Sequence, residues 1–123
     1  MKKAYLSSEL SGAPLSGAYE ANGLIFVSGQ IHMNSEKKLE WESIEEKFVV
    51  VITNVKNILT EAWLTLEDVI RAHLYLTDLS ELPALNQVYL KYFSHPLPAR
   101  TAIWVSALPL GASIEMDVIA VRR

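Results

Sequence analysis

The sequence predicts a single α+β domain in which a mixed β-sheet is covered on one face by two helices. The order of the predicted elements indicates this class, since strands come first, a helix, a strand and a second helix follow, and two strands end the chain. The length of 123 residues suits one domain with its own hydrophobic core, and we assign that domain to residues 1–123.

The N-terminal part of the chain predicts a loop followed by a β-hairpin. Residues 1–17 are rich in serine, glycine and proline, so we expect a loop there after a short strand at residues 3–6. Residues 19–21 and 24–27 are strand-like and flank Asn22-Gly23, a dipeptide that tolerates the positive φ angles of tight hairpin turns. Gly29 then interrupts the second strand, which indicates a β-bulge. The strand resumes at residues 31–33, and residues 39–41 are a candidate return strand.

Two segments have the periodicity of amphipathic helices. Ser43 and Glu46 form a capping box, and apolar residues recur at helical spacing from residue 44 to residue 62. This first helix ends atypically, because Trp63 stands where a glycine is usual. The second helix starts between residues 78 and 83, with Ser80 as its N-cap and Pro83 in its first turn, and the prolines at positions 96 and 98 end it.

Three later segments are predicted to be strands. Residues 69–77 alternate, with Ile70 and every second residue to Leu76 on one face, residues 101–105 are β-branched and aromatic, and residues 114–121 alternate again. The second face of the sheet then needs a cover, since it carries Ile119, Val121 and either Ile103 or Trp104. Half of the residues are hydrophobic, so we expect a partner subunit in a closed cyclic homo-oligomer to cover this face.

Composition argues against several classes of protein and site. The formal charge of −3 comes without a run of Lys or Arg, which argues against nucleic-acid binding. Absence of cysteine excludes disulfides, thiolate metal sites and cysteine catalysis, and suits the cytoplasm. No stretch approaches the ~20 apolar residues of a membrane span, and the N-terminus lacks the apolar core of a signal peptide. We therefore expect a soluble, unprocessed protein without membrane partners.

Motifs for metal, nucleophilic and phosphate chemistry are missing. The three histidines, His32, His73 and His95, lack the spacing of metal ligands and are interpreted as structural. Ser28 has no G-x-S-x-G context, and no glycine-rich phosphate loop is present. We expect neither a metal nor a cofactor.

Arg100 and Glu115 are the remaining candidates for a site, and we expect them on neighbouring or nearby sheet elements. Arg100 follows Pro98-Ala99 at the start of a strand, where its guanidinium suits either bidentate capture of a carboxylate or a salt bridge at an interface. Glu115 is either an internal partner of Arg100 or Arg122, or a carboxylate with a raised pKa that holds water as a general base.

Two polar residues accompany this pair, and each has two interpretations. Ser28 either presents its hydroxyl to a cleft or belongs to an ordinary bulge. Asn86, between Leu85 and Val88 on the second helix, is either a pocket amide or an exposed helical residue.

An ordered set of short motifs covers nearly the whole chain and resembles the Rid (reactive intermediate deaminase) family, also called the YjgF family. The motifs are Ser28-Gly29-Gln30, Asn54-Val55-Lys56-Asn57 followed by Glu61-Ala62, Asp68-Val69, Asn86 with Tyr89 and Phe93, Pro98-Ala99-Arg100-Thr101, Leu108-Pro109, and residues 114–120. The resemblance implies a chorismate-mutase-like α/β fold and a homotrimer with clefts between its subunits.

The resemblance also implies an activity. Family members with an arginine at the position of Arg100 hydrolyse 2-aminoacrylate-type enamines and imines to 2-keto acids and ammonia. By position, Arg100 would bind the substrate carboxylate and Glu115 would orient the attacking water. The pocket residues implied in the same way are Ser28, Asn86, and the main chain of Thr101 and Ala102. The alternative is a non-catalytic protein that binds small carboxylates in the same cleft, whereas the acidic balance argues against a ribonuclease.

Three positions depart from the family pattern. Leu15 follows Ala13-Pro14 where deaminating members carry a tyrosine, Ala102 replaces a frequent cysteine, and Trp63 replaces a helix-ending glycine. Leu15 and Ala102 would change the shape and polarity of the pocket, so they bear on the choice of substrate.

Overall fold

The computed structural model describes residues 2–5 and 13–123. In these ranges the strands are β1 (Lys2–Tyr5), β2 (Ala18–Ala21), β3 (Leu24–Ile31), β4 (Val69–Leu76), β5 (Ala99–Trp104) and β6 (Ile114–Val121), and the helices are α1 (Ile44–Glu61) and α2 (Leu82–Tyr89). Short 3-10 helices lie at Leu66–Asp68, Leu79–Glu81 and Pro109–Gly111. No helix of the described ranges is both long and apolar enough to cross a membrane.

The strands form one mixed sheet in the order β1-β2-β3-β6-β4-β5. Neighbouring strands are antiparallel except β4 and β5, which are parallel and are joined through α2. A parallel pair needs such a crossover connection, whereas antiparallel strands can be joined by tight turns. The predicted fold class, a mixed sheet with two helices on one face, is confirmed. The last strand of the chain, β6, lies between β3 and β4.

The hydrophobic core lies between the two helices and one face of the sheet. On α1 it includes Phe48, Val51 and Val55, and on β6 it includes Met116 and Val118, all fully or almost fully buried. Complete burial of one such side chain contributes roughly 1.5–3 kcal/mol. Every second residue of β6 faces this core. The residues between them therefore lie on the opposite face of the sheet, which is called the open face below.

The predicted hairpin and the predicted bulge are both confirmed. Asn22 and Gly23 have φ angles of 53° and 77° in the turn between β2 and β3. The register between β3 and β6 shifts between Val27 and Gln30, on either side of Gly29.

The predicted return strand at residues 39–41 is wrong. Only an isolated bridge joins Met33 to Leu39. The side chain of Asn34 accepts hydrogen bonds from the main-chain N–H groups of Glu36 and Lys38, at 2.9 and 3.1 Å. These bonds close a turn, and beside it the main-chain N–H of Asn34 donates to the carbonyl of Lys38 and that of Glu40 donates to the carbonyl of His32, both at 2.8 Å, a pairing too short to make a strand.

Helix α1 begins as predicted and ends in an unusual conformation. The hydroxyl of Ser43 accepts a hydrogen bond from the main-chain N–H of Glu46 at 3.1 Å. At the other end, Trp63 has a φ of 62°. The main-chain N–H of Trp63 donates to the carbonyl of Thr60, and that of Leu64 donates to the carbonyl of Leu59. This is the Schellman arrangement, with tryptophan at the position that favours glycine.

The predicted N-cap at Ser80 is wrong. The carboxylate of Asp78 accepts a hydrogen bond from the main-chain N–H of Ser80 at 3.0 Å and caps a 3-10 turn. Helix α2 starts only after this turn, with Pro83 in its first turn as predicted. An aspartate two residues earlier thus takes the capping position, because its carboxylate reaches the free N–H groups first.

Strand β4 contains a bulge that its sequence pattern did not predict. The register between β4 and β6 shifts between Val69 and Arg71, so Val69 is buried and Ile70 is exposed. The predicted alternation holds from Ala72 to Leu76. On β5, Ile103 lies opposite Tyr75 on the open face, whereas Trp104 lies opposite the buried Leu76.

Candidate functional site

Glu115 lies on the open face near the start of β6. Its neighbours across the sheet are Ile31 of β3 and Tyr75 of β4. Its carboxyl group lies directly against Gly29, where a β-carbon would stand only 2.8 Å from Cδ of Glu115. The bulge of β3 and the missing side chain at position 29 therefore make the space that this carboxylate occupies.

The surroundings of Glu115 favour a proton acceptor. Burial raises the pKa of the Glu115 carboxyl, and the negative charge of Asp117 raises it further. No cation of the described residues forms an ion pair with it. A carboxylate of raised pKa that has no ionic partner is free to bind water and accept its proton.

A cleft of about 610 Å³ lies beside Glu115. Its apolar lining includes Leu15, Ile31, Met33, Ile58 and Leu110, and its polar lining includes Asn34, Ser35, Lys37, Asn54 and Asn57. Asn54 donates hydrogen bonds to the main-chain carbonyls of Ile31 and Met33, at 3.3 and 2.9 Å, and so fixes one edge of the cleft. Two residues predicted for the site, Leu15 and Glu115, thus line the same cleft.

Arg100 lies on the other face of the sheet. On β5 it is aligned with the buried Ala72, and its guanidinium stacks over the ring of Tyr89 on α2, 4.9 Å from the ring centroid. None of the described carboxylates forms an ion pair with Arg100. The interpretation of Glu115 as the internal partner of Arg100 is therefore wrong within one subunit, because β4 separates the two strands and the side chains project from opposite faces.

The second structural interpretation, a pair between Arg122 and Glu115, is also wrong. Arg122 binds both carboxylate oxygens of Glu20, with Nε to Oε2 at 2.8 Å and Nη2 to Oε1 at 2.9 Å. Such a bidentate pair satisfies the guanidinium fork of Arg122.

Two buried polar atoms lie on α2. The Oδ1 atom of Asn86 and the hydroxyl of Tyr89 have no hydrogen-bond partner in the described structure. The two residues are three positions apart, so they share one side of the helix. Burial raises the pKa of the Tyr89 hydroxyl, and the nearby charge of Arg100 partly offsets this. Tyr89 was not among the predicted site residues, although its spacing from Asn86 is visible in the sequence.

The remaining predicted residues have other contacts. Ser28 donates its hydroxyl to the main-chain carbonyl of Ser16 at 2.7 Å. Thr101 accepts a hydrogen bond from Nη2 of Arg71 at 2.5 Å on the open face. Ala102 is half-buried and packs against the core. A single subunit therefore does not gather all the predicted residues into one pocket.

The described residues hold no cluster of three or more His, Asp and Glu side chains that could bind a metal ion.

Residues 7–122 match the family model described as endoribonuclease L-PSP. Protein HMF1 of Saccharomyces cerevisiae is 40% identical over 117 residues, which cover 95% of this chain and 91% of that protein. Reactive Intermediate Deaminase A, chloroplastic, of Arabidopsis thaliana is 37% identical over 124 residues, which cover 98% of this chain and 66% of that protein. Among solved structures, E. coli TdcF with bound serine superposes with a TM-score of 0.83 at 28% identity, covering 90% of each chain.

Proposed function

The chain belongs to the Rid, or YjgF, family, and we propose that it hydrolyses reactive 2-enamine and 2-imino acids of the 2-aminoacrylate type to 2-keto acids and ammonia. The proposed active form is a homotrimer with a cleft between neighbouring subunits. Its ligand is a small 2-imino or 2-keto acid, and its compartment is the cytoplasm. Neither a nucleic acid nor a membrane is a proposed partner.

The observation that carries the proposal is the environment of the Glu115 carboxylate. The half-buried carboxylate borders a cleft without an ionic partner, and burial raises its pKa. Arg100 likewise forms no ion pair with a described carboxylate, and its guanidinium lies over the ring of Tyr89. A cation that is held in place without a counter-charge suits the carboxylate of a substrate, and the carboxylate suits a water molecule.

Assembly would bring the two groups together. In one subunit they project from opposite faces of the sheet, so a shared site requires Arg100 of one copy and Glu115 of another. The open face is suited to such contact, because Tyr19, Phe26 and Ile103 expose 46%, 46% and 44% of their surface there. Exposed apolar side chains on one contiguous face are typical of an interface.

The proposed reaction uses these groups in order. Arg100 binds the carboxylate of the 2-imino acid through two hydrogen bonds and so places the imine carbon next to the water. Glu115 accepts a proton as the water oxygen bonds to that carbon, and the imine nitrogen takes up a proton. The tetrahedral intermediate then loses ammonia: the nitrogen takes up the proton that Glu115 accepted, the C–N bond breaks, and the hydroxyl gives up its proton as the keto group forms. An enamine would first become the imine by protonation at carbon.

A specific observation favours one other function. The solved structure of TdcF holds serine, which is a small carboxylate. A protein that binds small carboxylates in the same cleft without turnover is therefore the second candidate.

Ammonia release from enzymatically generated 2-imino acids tests the proposal. The wild-type protein should accelerate release, and Arg100→Ala should lower this activity by about 100-fold or more, since it removes a fixed donor for the substrate. Arg123→Ala is the matched control, because that arginine pairs with Asp68 instead. Wild-type activity in Arg100→Ala contradicts the assigned role. Tight binding of 2-keto acids with no turnover by the wild type favours the second candidate.

A further inference from the structure

A hydrogen-bonded cluster surrounds Asp117 on the open face. Oδ1 of Asp117 lies 2.7 Å from Nδ1 of His73, and Oδ2 accepts a hydrogen bond from the hydroxyl of Tyr75 at 2.8 Å. The register of β4 and β6 produces these contacts, since Asp117 lies directly opposite His73 and Glu115 directly opposite Tyr75. Asp117 is therefore fixed in place next to the proposed general base.

The tautomer of His73 follows from a third contact. Nε of Arg71 donates a hydrogen bond to Nε2 of His73 at 3.3 Å. A guanidinium can only donate, so Nε2 must carry the lone pair and the proton of the neutral ring must lie on Nδ1. His73 is then a neutral donor to Asp117. Together with Tyr75 it gives the carboxylate of Asp117 two hydrogen-bond donors, neither of which carries a positive charge.

Glu115 lies two positions before Asp117 on the same face of β6, so their Cα atoms are about 7 Å apart along the strand. From β4 the facing titratable groups are Tyr75, His73 and Arg71. The residues of β3 next to Glu115, Gly29 and Ile31, bring no charge, and Lys37 lies on the wall of the same cleft. Asp117 is thus the nearest charge on the strand of Glu115.

We propose that Asp117 is a positioning residue for the reaction: held in place by His73 and Tyr75, it presents a second negative charge beside Glu115 and so favours transfer of a proton from water to Glu115. The effect on catalysis rests on the proposed function, whereas the effect on Glu115 itself does not. After burial, Asp117 is the cause that raises the pKa of Glu115. Burial, and then the hydrogen bond to Asp117 and the charge of that carboxylate, raise the pKa of Tyr75 to about 12, so Tyr75 stays a donor at neutral pH.

The test compares Asp117→Asn with the wild type by two readouts. Asparagine keeps the size and an acceptor oxygen but removes the charge. An NMR titration of the side-chain carboxyl carbon of Glu115 should show a midpoint lower by about half a pH unit or more, as expected for loss of a charge at this distance. In the pH profile of ammonia release, the acid limb should shift to lower pH by the same amount. Glu61→Gln, the matched control at the exposed end of α1, removes an equal charge and should move neither readout.

Each result has one meaning. An unchanged Glu115 midpoint in folded Asp117→Asn overturns the inference, and so does an equal loss of rate at every pH with an unmoved acid limb. A lower midpoint supports it, and if the wild type then releases no ammonia, only the proposed function fails. If Asp117→Asn does not fold, Tyr75→Phe replaces it. Loss of that donor leaves the charge of Asp117 less compensated, so the Glu115 midpoint should rise, and an unchanged or lower midpoint overturns the inference.

Discussion

The carboxyl group of Glu115 fills the space beside Gly29 that a β-carbon at position 29 would occupy. A β-carbon at position 29 would lie 2.8 Å from Cδ and 3.3 Å from Cγ of Glu115, well inside van der Waals contact. The shift in register between Val27 and Gln30 brings Gly29 to this position. Any side chain at position 29 must therefore displace the carboxylate that we assign as general base.

Gly29→Ala should lower activity without unfolding the protein. Gly29 is not among the residues with a positive φ, so alanine can adopt its backbone conformation. The new methyl group moves the Glu115 carboxylate, and a displacement of about 1 Å from the reacting geometry can lower the rate by about 100-fold. Steady-state kinetics should show the loss in kcat, while the thermal midpoint stays close to that of the wild type.

The control for this variant is Gly23→Ala. Gly23 has a φ of 77° in the hairpin turn, and a β-carbon there would meet no atom within 4 Å. This variant should lose stability, because the left-handed conformation costs alanine about 1 kcal/mol, and it should keep its activity. A Gly29→Ala protein with the kcat of the wild type would show that Glu115 tolerates the displacement.

Trp63→Gly should stabilise the protein. Trp63 has a φ of 62° at the end of α1 and exposes 91% of its surface. Glycine adopts this conformation without the strain of a β-carbon, and almost no buried area is lost, so unfolding should cost about 1 kcal/mol more. Urea denaturation measures the change. Trp63→Ala removes the ring but keeps the β-carbon, so a Trp63→Gly protein no more stable than Trp63→Ala would contradict the explanation.

The elements that were predicted correctly are those with a local signal. Strand β6 occupies the predicted residues 114–121, because alternation of side chains is written in the sequence itself. The Asn22-Gly23 turn and the Ser43 cap are likewise local. The bulge at Val69 and Ile70 was missed because it depends on the register against β6, which no local pattern contains.

The candidate site likewise combines features with a local sequence signal and features that depend on how distant strands pair. Arg100 and Glu115 were identified from their residue types and neighbours, but their placement on opposite faces follows from the registers of β5 and β6 against β4, in which Arg100 is aligned with Ala72 and Glu115 with Tyr75. Asp117 was assigned only to a strand face. Its contacts with His73 and Tyr75, which lie 44 and 42 residues earlier in the chain, form only when β4 and β6 pair in one particular register.

The pair of Glu20 and Arg122 should contribute to stability above acidic pH. Hydrogen bonds from Arg122, and next from Tyr5, lower the pKa of Glu20 to about 2. The unfolded chain takes up this proton near the ordinary glutamate pKa of about 4.5, so the contribution is present above pH 4.5 and is lost as the pH falls toward 2. Since the pair is partly exposed, the contribution is about 1 kcal/mol or less. Glu20→Gln should be less stable than the wild type at pH 7, and the two should converge near pH 2 in urea denaturation. An equal difference at both pH values would contradict this.

His32 is fully buried and works as an acceptor. Its Nε2 accepts the main-chain N–H of Ser113 at 2.8 Å, so this nitrogen carries no proton. Lys47 donates to the hydroxyl of Ser113 at 3.0 Å on the same side. Burial lowers the pKa of His32, the carbonyl of Glu40 offsets this in part, and the charge of Lys47 lowers it further. The folded protein therefore keeps His32 neutral where the unfolded chain protonates it.

Stability should consequently fall as the pH drops below the ordinary histidine pKa of about 6.5, because the unfolded state then binds a proton that the folded state excludes. The loss continues until the pH passes the lowered pKa of folded His32, where it levels off. Urea denaturation at steps between pH 7.5 and pH 5 measures this slope. His32→Gln cannot titrate, so its slope should be smaller than that of the wild type even though its stability at pH 7 is lower. His95→Gln changes an exposed histidine and should keep the wild-type slope. A wild-type slope in folded His32→Gln would assign the pH dependence to another group.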